Sequence, residues 1–295
     1  MRRLFVLLGA MLCVSVGYAQ KYSVAFYNVE NLFDTIPSLF YDDSDYTPEG
    51  RYGWNTERYR NDIKNIARVL DDVRADVVGL CEIENEDVVR DLVRALNTDY
   101  CYVHLASRDA MGRDLALLYK GDKFEVLESW LSESGYRRDF LNVRGVLGVD
   151  TVQFVVCHLP STYNSEAQYQ KSLTYLENHV NFIRQRYPSQ PLFVIGDING
   201  IYNRRLRRRF GYEAPLCKLE NQGYGSYLYR GRWSLIDNIF VCEAGGFSVV
   251  DCGIYLRSYM LYRTTYGEIP YRTFSRDSYL GGYSDHLPVY IILQR

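Results

Sequence analysis

His286 lies in the stretch Tyr283-Ser284-Asp285-His286-Leu287-Pro288-Val289-Tyr290, beside an acid and just before a run of β-forming apolar residues. Histidine is the side chain whose unperturbed pKa lies near neutrality, so it takes up and returns a proton under ordinary conditions. The chain has only four, and His286 is the candidate general base. Three other stretches share its form, with polar groups at the end of an apolar run: Cys157-His158-Leu159-Pro160, Gly196-Asp197-Ile198-Asn199-Gly200 and Ile236-Asp237-Asn238. Strand ends are where a rigid scaffold holds reacting groups at loops. Taken singly, each acid reads as a strand-end turn or a helix cap. Together they are hard to explain that way.

The elements that must position these groups follow from periodicity. Lys21 to Tyr27 alternates as a strand and delivers Asn28, and the apolar run Asp76 to Cys81 presents Glu82. Thr56 is placed to cap a helix with Ile63, Ile66, Leu70 and Val73 on its buried face, and Val88, Val89, Leu92, Val93 and Leu96 make a second. Glu166 to Arg186 is the longest helix, with Leu173, Leu176, Val180 and Ile183 on one stripe and His179 beside it as a structural residue. Further strands are expected at Cys101 to Leu105, Leu115 to Tyr119, Phe124 to Leu127, Val152 to Val156, Pro191 to Ile195, Leu235 to Val241 and Pro288 to Leu293. Strands alternate with helices early and dominate the middle, which predicts an α/β fold of packed sheets with helices outside. The long acidic and aromatic loop from Asn31 to Trp54 is of a kind that is either functional or mobile.

Residues 1–19 carry Arg2 and Arg3, an apolar segment from Leu4 to Val16 and then Gly17-Tyr18-Ala19, the pattern of a secretory signal too short to anchor in a bilayer. The expected product is soluble, exported to the periplasm or beyond the cell, begins near Gln20 and has no transmembrane segment. Loss of Arg2 and Arg3 leaves 32 basic against 36 acidic residues, a formal charge of about −4, which excludes a general nucleic-acid coat. Tyrosine is abundant at 28 residues, which suits packed sheets with wet edges. Arg204 to Arg209 carries five arginines around Leu206 and is placed to draw in phosphates. Export favours disulfides; Cys242 and Cys252 are the better bridge candidates among six mature cysteines, whereas Cys81 and Cys157 lie inside apolar runs.

Six motifs in order, YNVENLFD, LCEIEN, CHLPS, GDING, LIDNIFV and YSDHLPV, run from Tyr27 to Val289. With them the sequence resembles the endonuclease/exonuclease/phosphatase superfamily of deoxyribonucleases, abasic-site endonucleases, sphingomyelinases and inositol polyphosphate phosphatases. The resemblance implies one domain over 20–295, a four-layer α/β sandwich of two mixed β-sheets packed face to face with helices outside. It implies a divalent metal held directly by Glu82, with Asn28 as a further ligand or as a partner behind the ligand, and with Asp285 helping the metal or fixing the loop of His286. Magnesium suits such hard oxygen donors, with manganese or calcium as substitutes. By the same resemblance His286 is the base and Asp237 its partner, Asp197 and Asn199 position water and phosphate oxygens, and His158 donates to the phosphate or leaving oxygen. Asp114, in Gly112-Arg113-Asp114-Leu115, is the candidate support for His158, and Arg204, Arg205 and Arg208 are candidate substrate contacts. Ile198 stands before Asn199 where many relatives have an aromatic residue, a change of packing more than of chemistry.

The expected function is a metal-dependent phosphodiesterase or endonuclease on DNA or RNA. The alternatives are a phosphatase or phospholipase-C-like enzyme on small or lipid phosphoesters, and a non-catalytic binding protein on the same fold. None of the main acidic or imidazole positions is replaced, which argues against the last. No stable protein partner is implied.

Overall fold

The computed structural model describes residues 20–161, 165–200, 213–265 and 267–295. The leader at 1–19 and Arg204, Arg205 and Arg208 lie outside the described residues.

Two sheets carry the fold. The first has the order β12 (Ser248–Ile254), β17 (Val289–Gln294), β1 (Lys21–Leu32), β2 (Val77–Ile83), β4 (Asp114–Tyr119), β3 (Cys101–His104). The second has the order β11 (Asp237–Glu243), β8 (Leu192–Asp197), β7 (Asp150–His158), β6 (Phe140–Leu147), β5 (Phe124–Ser132). Each sheet contains one parallel pair, β1 with β2 and β7 with β8, among antiparallel neighbours. Each parallel pair is joined through a helix, α1 (Thr56–Val73) and α3 (Glu166–Arg186), because parallel neighbours need a long crossover. Helix α2 (Glu86–Ala95) follows β2, and the short α4 (Cys217–Asn221) precedes β11. Three two-stranded ribbons complete the chain: β9 (Tyr227–Tyr229) with β10 (Arg232–Ser234), β13 (Leu261–Thr264) with β14 (Gly267–Pro270), and β15 (Phe274–Ser275) with β16 (Ser278–Tyr279).

The period-2 alternation of the strands sorts side chains into layers. Val24 and Phe26 of β1 point between the sheets and meet Phe154, Phe193 and Ile195 in the central core. Ala25 and Tyr27 point the other way, into the core under α1 and α2 with Ile66 and Leu70. Val155 and Cys157 face Leu173, Leu176 and Val180 of α3. The layers therefore run helix, sheet, sheet, helix, as the resemblance implied.

Several details differ from the expectation. The N-cap of α1 is Asn55, whose side chain accepts the Arg58 N–H at 3.0 Å, and Thr56 is the first helical residue. Strand β6 has no counterpart in the periodicity, because Arg144 and Gly145 interrupt the apolar alternation of Leu141 and Val143. All six described cysteines are free thiols; Cys242 lies in the core under α3 and Cys252 between the sheets, so the two stand in different layers and form no bridge. The loop after β1 packs on itself: Phe33 stacks on Tyr46 at 4.2 Å, and the buried Trp54 donates its indole N–H to the Phe33 carbonyl at 2.8 Å. Among the described residues no helix is long and apolar enough to cross a membrane.

Candidate active site

The register of the strands brings the polar ends together. His158 at the end of β7 pairs with Asp197 at the end of β8, and Asp197 pairs in turn with Asp237 at the start of β11. Asn28 on β1 lies beside Cys81, the neighbour of Glu82 on β2. His286 enters from the turn before β17, held by its N–H bond to the Ser284 hydroxyl, which itself donates to the Asn28 carbonyl at 2.8 Å. Facing sheets thus contribute to one cavity of about 720 Å³, lined among others by Glu82, His158, Asp197, Asn199, Asp285 and His286.

His286 Nδ1 lies 2.8 Å from Asp237 Oδ2, and both residues are buried. In the neutral ring a carboxylate there keeps the proton on Nδ1, which leaves the Nε2 lone pair directed into the cavity. Nε2 lies 3.9 Å from Asp197 Oδ2 and 3.5 Å from Asn28 Nδ2. Burial pushes the imidazole pKa down, but the charge and hydrogen bond of Asp237, with Asp285 and Asp197 nearby, carry it well above the ordinary value. Asp197 itself is pushed up by burial and then by the charge of Asp237.

His158 has the opposite environment. Its Nδ1 receives a hydrogen bond from the buried Arg138, and its Nε2 lies 3.6 Å from Asp197 Oδ2 and 3.7 Å from Glu82 Oε1. A guanidinium only donates, so Nδ1 is the acceptor and Nε2 carries the proton toward the cavity. Burial, then the charges of Arg138 and Arg113, hold its pKa well below the ordinary value, so His158 is a neutral donor.

Here the structure corrects one expectation. Asp114 is not the support of His158: its carboxylate takes His104 Nε2 at 3.1 Å and the Ser107 N–H and hydroxyl at 3.1 and 2.6 Å. The group at His158 is Arg138, shared with Asp109 at 3.4 Å, and Arg113 reaches the same Asp109 at 3.7 Å. Arg113, Arg138 and Arg272 line the cavity together with Tyr227. Sequence reasoning missed Arg138, Arg272 and Tyr227, which come from segments with no apolar run to announce them. Tyr227 forms an isolated bridge to His286, and its ring sits 4.8 Å from the imidazole.

Glu82 is held in the left-handed region at φ 66°, and Asn199 at φ 49°, a backbone strain that persists only where the surroundings impose it. Glu82 accepts from Asn28 Nδ2 at 3.0 Å and from the Asn31 N–H at 2.9 Å. Its carboxylate still faces the cavity, which Asp197 and Asp285 also line, a hard oxygen donor set that fits a divalent cation. Asp197, Asp237 and His286 also offer three ligand atoms within 4.8 Å of one another. Asp237 and the imidazole are already bonded to each other there, which leaves Glu82 the more available carboxylate for a cation. Asn199 donates its N–H to Asp197 Oδ1 at 2.9 Å and its side-chain amide to the Leu159 carbonyl at 2.9 Å, which fixes the Asp197–Asn199 turn at the cavity floor.

A model of the Endonuclease/Exonuclease/phosphatase family matches residues 23–295. No curated protein matches the sequence. Among solved structures, a Bacteroides thetaiotaomicron endonuclease/exonuclease/phosphatase family protein aligns at 17% identity and TM-score 0.64 over 94% of this chain and 98% of that one. The B. thetaiotaomicron mannosyl-6-phosphatase aligns at 17% and 0.62 over 92% and 99%. D. rerio TDP2 complexed with single-strand DNA product aligns at 15% and 0.62 over 93% and 99%. At such identities the likeness is one of fold.

Proposed function

The chain belongs to the endonuclease/exonuclease/phosphatase family, whose members are phosphoester hydrolases, and from that premise we propose that it is a divalent-metal-dependent phosphodiesterase in which His286 activates water. The observation that carries the reading is the 2.8 Å bond from His286 Nδ1 to Asp237, which leaves Nε2 open to the cavity. On this reading Asp237 fixes the tautomer and stabilises the imidazolium that forms as Nε2 takes the proton of the attacking water. Asp197 and Asn199 orient that water and the phosphate, and His158 gives its Nε2–H to a phosphate oxygen, with Arg138 behind it. Glu82, with Asn28 beside it, would hold magnesium, or manganese or calcium in its stead; the ion supplies charge neutralisation at the phosphate and an anchor for its oxygens. Positioning and charge stabilisation are most of what phosphoryl transfer asks of a protein.

Nucleic acid is the proposed substrate, supported by the fold shared with TDP2. Export, proposed from the leader pattern, puts such an activity outside the cytoplasm. A second reading, a phosphatase on a small phosphomonoester, is favoured by the three arginines at the cavity, since a terminal phosphate carries more charge than a diester. It is supported also by the fold shared with the mannosyl-6-phosphatase.

The test is hydrolysis by protein beginning at Gln20 of plasmid DNA, bis-p-nitrophenyl phosphate and p-nitrophenyl phosphate, with and without magnesium, beside His286→Ala. Metal-dependent nicking lost in the variant supports the nuclease. Turnover of the monoester alone selects the second reading, and no turnover of any overturns both.

A further inference from the structure

We infer that Asp109 is a positioning residue for the reaction: through Arg138 it fixes the proton of His158 on Nε2, the ring nitrogen that faces the cavity. This rests on the reading above, in which His158 gives that proton to a phosphate oxygen. Two Arg-Asp pairs face each other across the sheets. Arg108 and Asp109 lie in the loop between β3 and β4 of the first sheet, Arg138 and Asp139 in the connection between β5 and β6 of the second. Each arginine takes the other loop's acid. Arg108 donates from Nε and Nη2 to Asp139 at 3.1 and 2.9 Å, and Arg138 Nε lies 3.4 Å from Asp109 Oδ2. The arginine of the outer pair is exposed and its charge is screened, so that pair serves to align the loops. The inner pair is buried at both ends, where charges act at a lower dielectric.

The other end of Arg138 reaches the imidazole. Its Nη1 donates to His158 Nδ1, and a ring nitrogen that accepts a hydrogen bond carries no proton of its own. The tautomer therefore lasts only while the guanidinium stays behind the ring. Two charges work to move it: Arg113 repels it, and Glu82, 3.7 Å from Nε2 on the cavity side of the ring, attracts it. Asp109 opposes both. Its Oδ2 faces Arg138 Nε at 3.4 Å and Arg113 Nε at 3.7 Å, contacts of charge rather than hydrogen bonds. Asp109 is itself held by its own turn. Oδ1 accepts the Met111 N–H at 3.0 Å, the Asp109 carbonyl accepts the Gly112 N–H at 3.0 Å, and the Asp109 N–H reaches the Ser107 hydroxyl at 3.4 Å. Gly112 closes this turn at φ 60°, where a Cβ would meet the Tyr41 ring at 2.4 Å. Oδ2 is thereby left for the two arginines.

Ring ¹⁵N NMR of the histidines reads the tautomer directly, and kinetics on whichever p-nitrophenyl ester the wild type hydrolyses read its consequence. The wild type shows His158 protonated on Nε2 alone, and in Asp109→Asn the proton is divided between Nε2 and Nδ1. Asp109→Asn lowers kcat about tenfold and leaves KM within about threefold. In an Arg138→Gln background the same substitution changes kcat by less than about twofold, because its route to the imidazole is already cut. A folded Asp109→Asn with the tautomer unchanged, or losses that multiply in the double variant, overturn the inference. If Asp109→Asn does not fold, Asp109→Asn combined with Arg113→Gln removes one charge of each sign, and a His158 proton as firmly on Nε2 as in Arg113→Gln alone overturns it. A wild type that hydrolyses no phosphoester overturns the reading on which the inference rests, and the ring spectrum still decides whether Asp109 sets the tautomer.

Discussion

His286 and Asp237 meet across the two sheets: the imidazole comes from the turn before β17 of the first, the carboxylate from the start of β11 in the second, and Nδ1 and Oδ2 are 2.8 Å apart. Neither sheet alone holds both members of the pair. In Asp237→Asn the amide no longer demands the proton on Nδ1, so the wrong tautomer becomes available. The expected result is a fall in kcat of about 10³- to 10⁴-fold with the fold retained. Steady-state kinetics beside circular dichroism checks it, and a loss under tenfold would remove Asp237 from the role of partner.

The same contact sets the proton affinity of the base. In the metal-free protein the His286 imidazole is expected to titrate well above 6.5, because Asp237, Asp285 and Asp197 outweigh the opposing effect of burial. The folded state then holds this proton more tightly than the unfolded chain. The resulting stability is fully present below about pH 6.5 and is lost as pH rises through the folded value. NMR titration of the His286 ring shows the raised midpoint, and Asp237→Asn lowers it. A midpoint below 6 in the wild type contradicts the arrangement.

Metal affinity isolates Glu82, whose carboxylate is positioned by Asn28 and the Asn31 N–H. Glu82→Gln keeps the size and shape of the side chain and removes its charge. Titration calorimetry should show magnesium affinity weakened at least about 100-fold, while the thermal midpoint moves little. Equal affinity in variant and wild type would locate the ion elsewhere.

The strand-end residues could be read ahead of the structure because periodicity locates a strand, and the residue where the apolar run stops is the one that reaches the edge. Asn28, Glu82, His158, Asp197 and Asp237 stand where such runs end or begin, and the parallel register of β7 with β8 sets His158 against Asp197. Arg138 and Arg272 gave no such signal. They come from short connections between strands, and their contacts are fixed by how the sheets pack rather than by any local pattern. The support of His158 was misread for the same reason. Asp114 opens β4 and faces the neighbouring edge strand β3, so its nearest imidazole is His104, ten residues earlier.

That correction has its own test. Asp114→Asn disturbs the buried contact with His104 and Ser107, and is expected to lower stability by about 1–3 kcal/mol while leaving kcat within about threefold. Arg138→Gln removes the donor that fixes His158 and is expected to lower kcat by about tenfold or more. The reverse pattern, an inactive Asp114→Asn and an unaffected Arg138→Gln, would return the support of His158 to Asp114.

His179 shows what an imidazole does here without a charged partner. It lies on α3, its Nε2 bonded to Asn142 Oδ1 at 2.6 Å, and burial lowers its pKa to about 4. The folded state therefore holds this proton less tightly than the unfolded chain, the opposite of His286. Its neutral form is kept at no loss above about pH 6.5, and stability falls as pH drops from there toward 4, by a few kcal/mol at most. Urea midpoints at pH 7 and pH 5, compared between wild type and His179→Gln, measure it: the variant should lose less stability on acidification. An equal loss in both would assign the acid sensitivity to other groups, His158 first among them, since burial and Arg138 also hold it neutral.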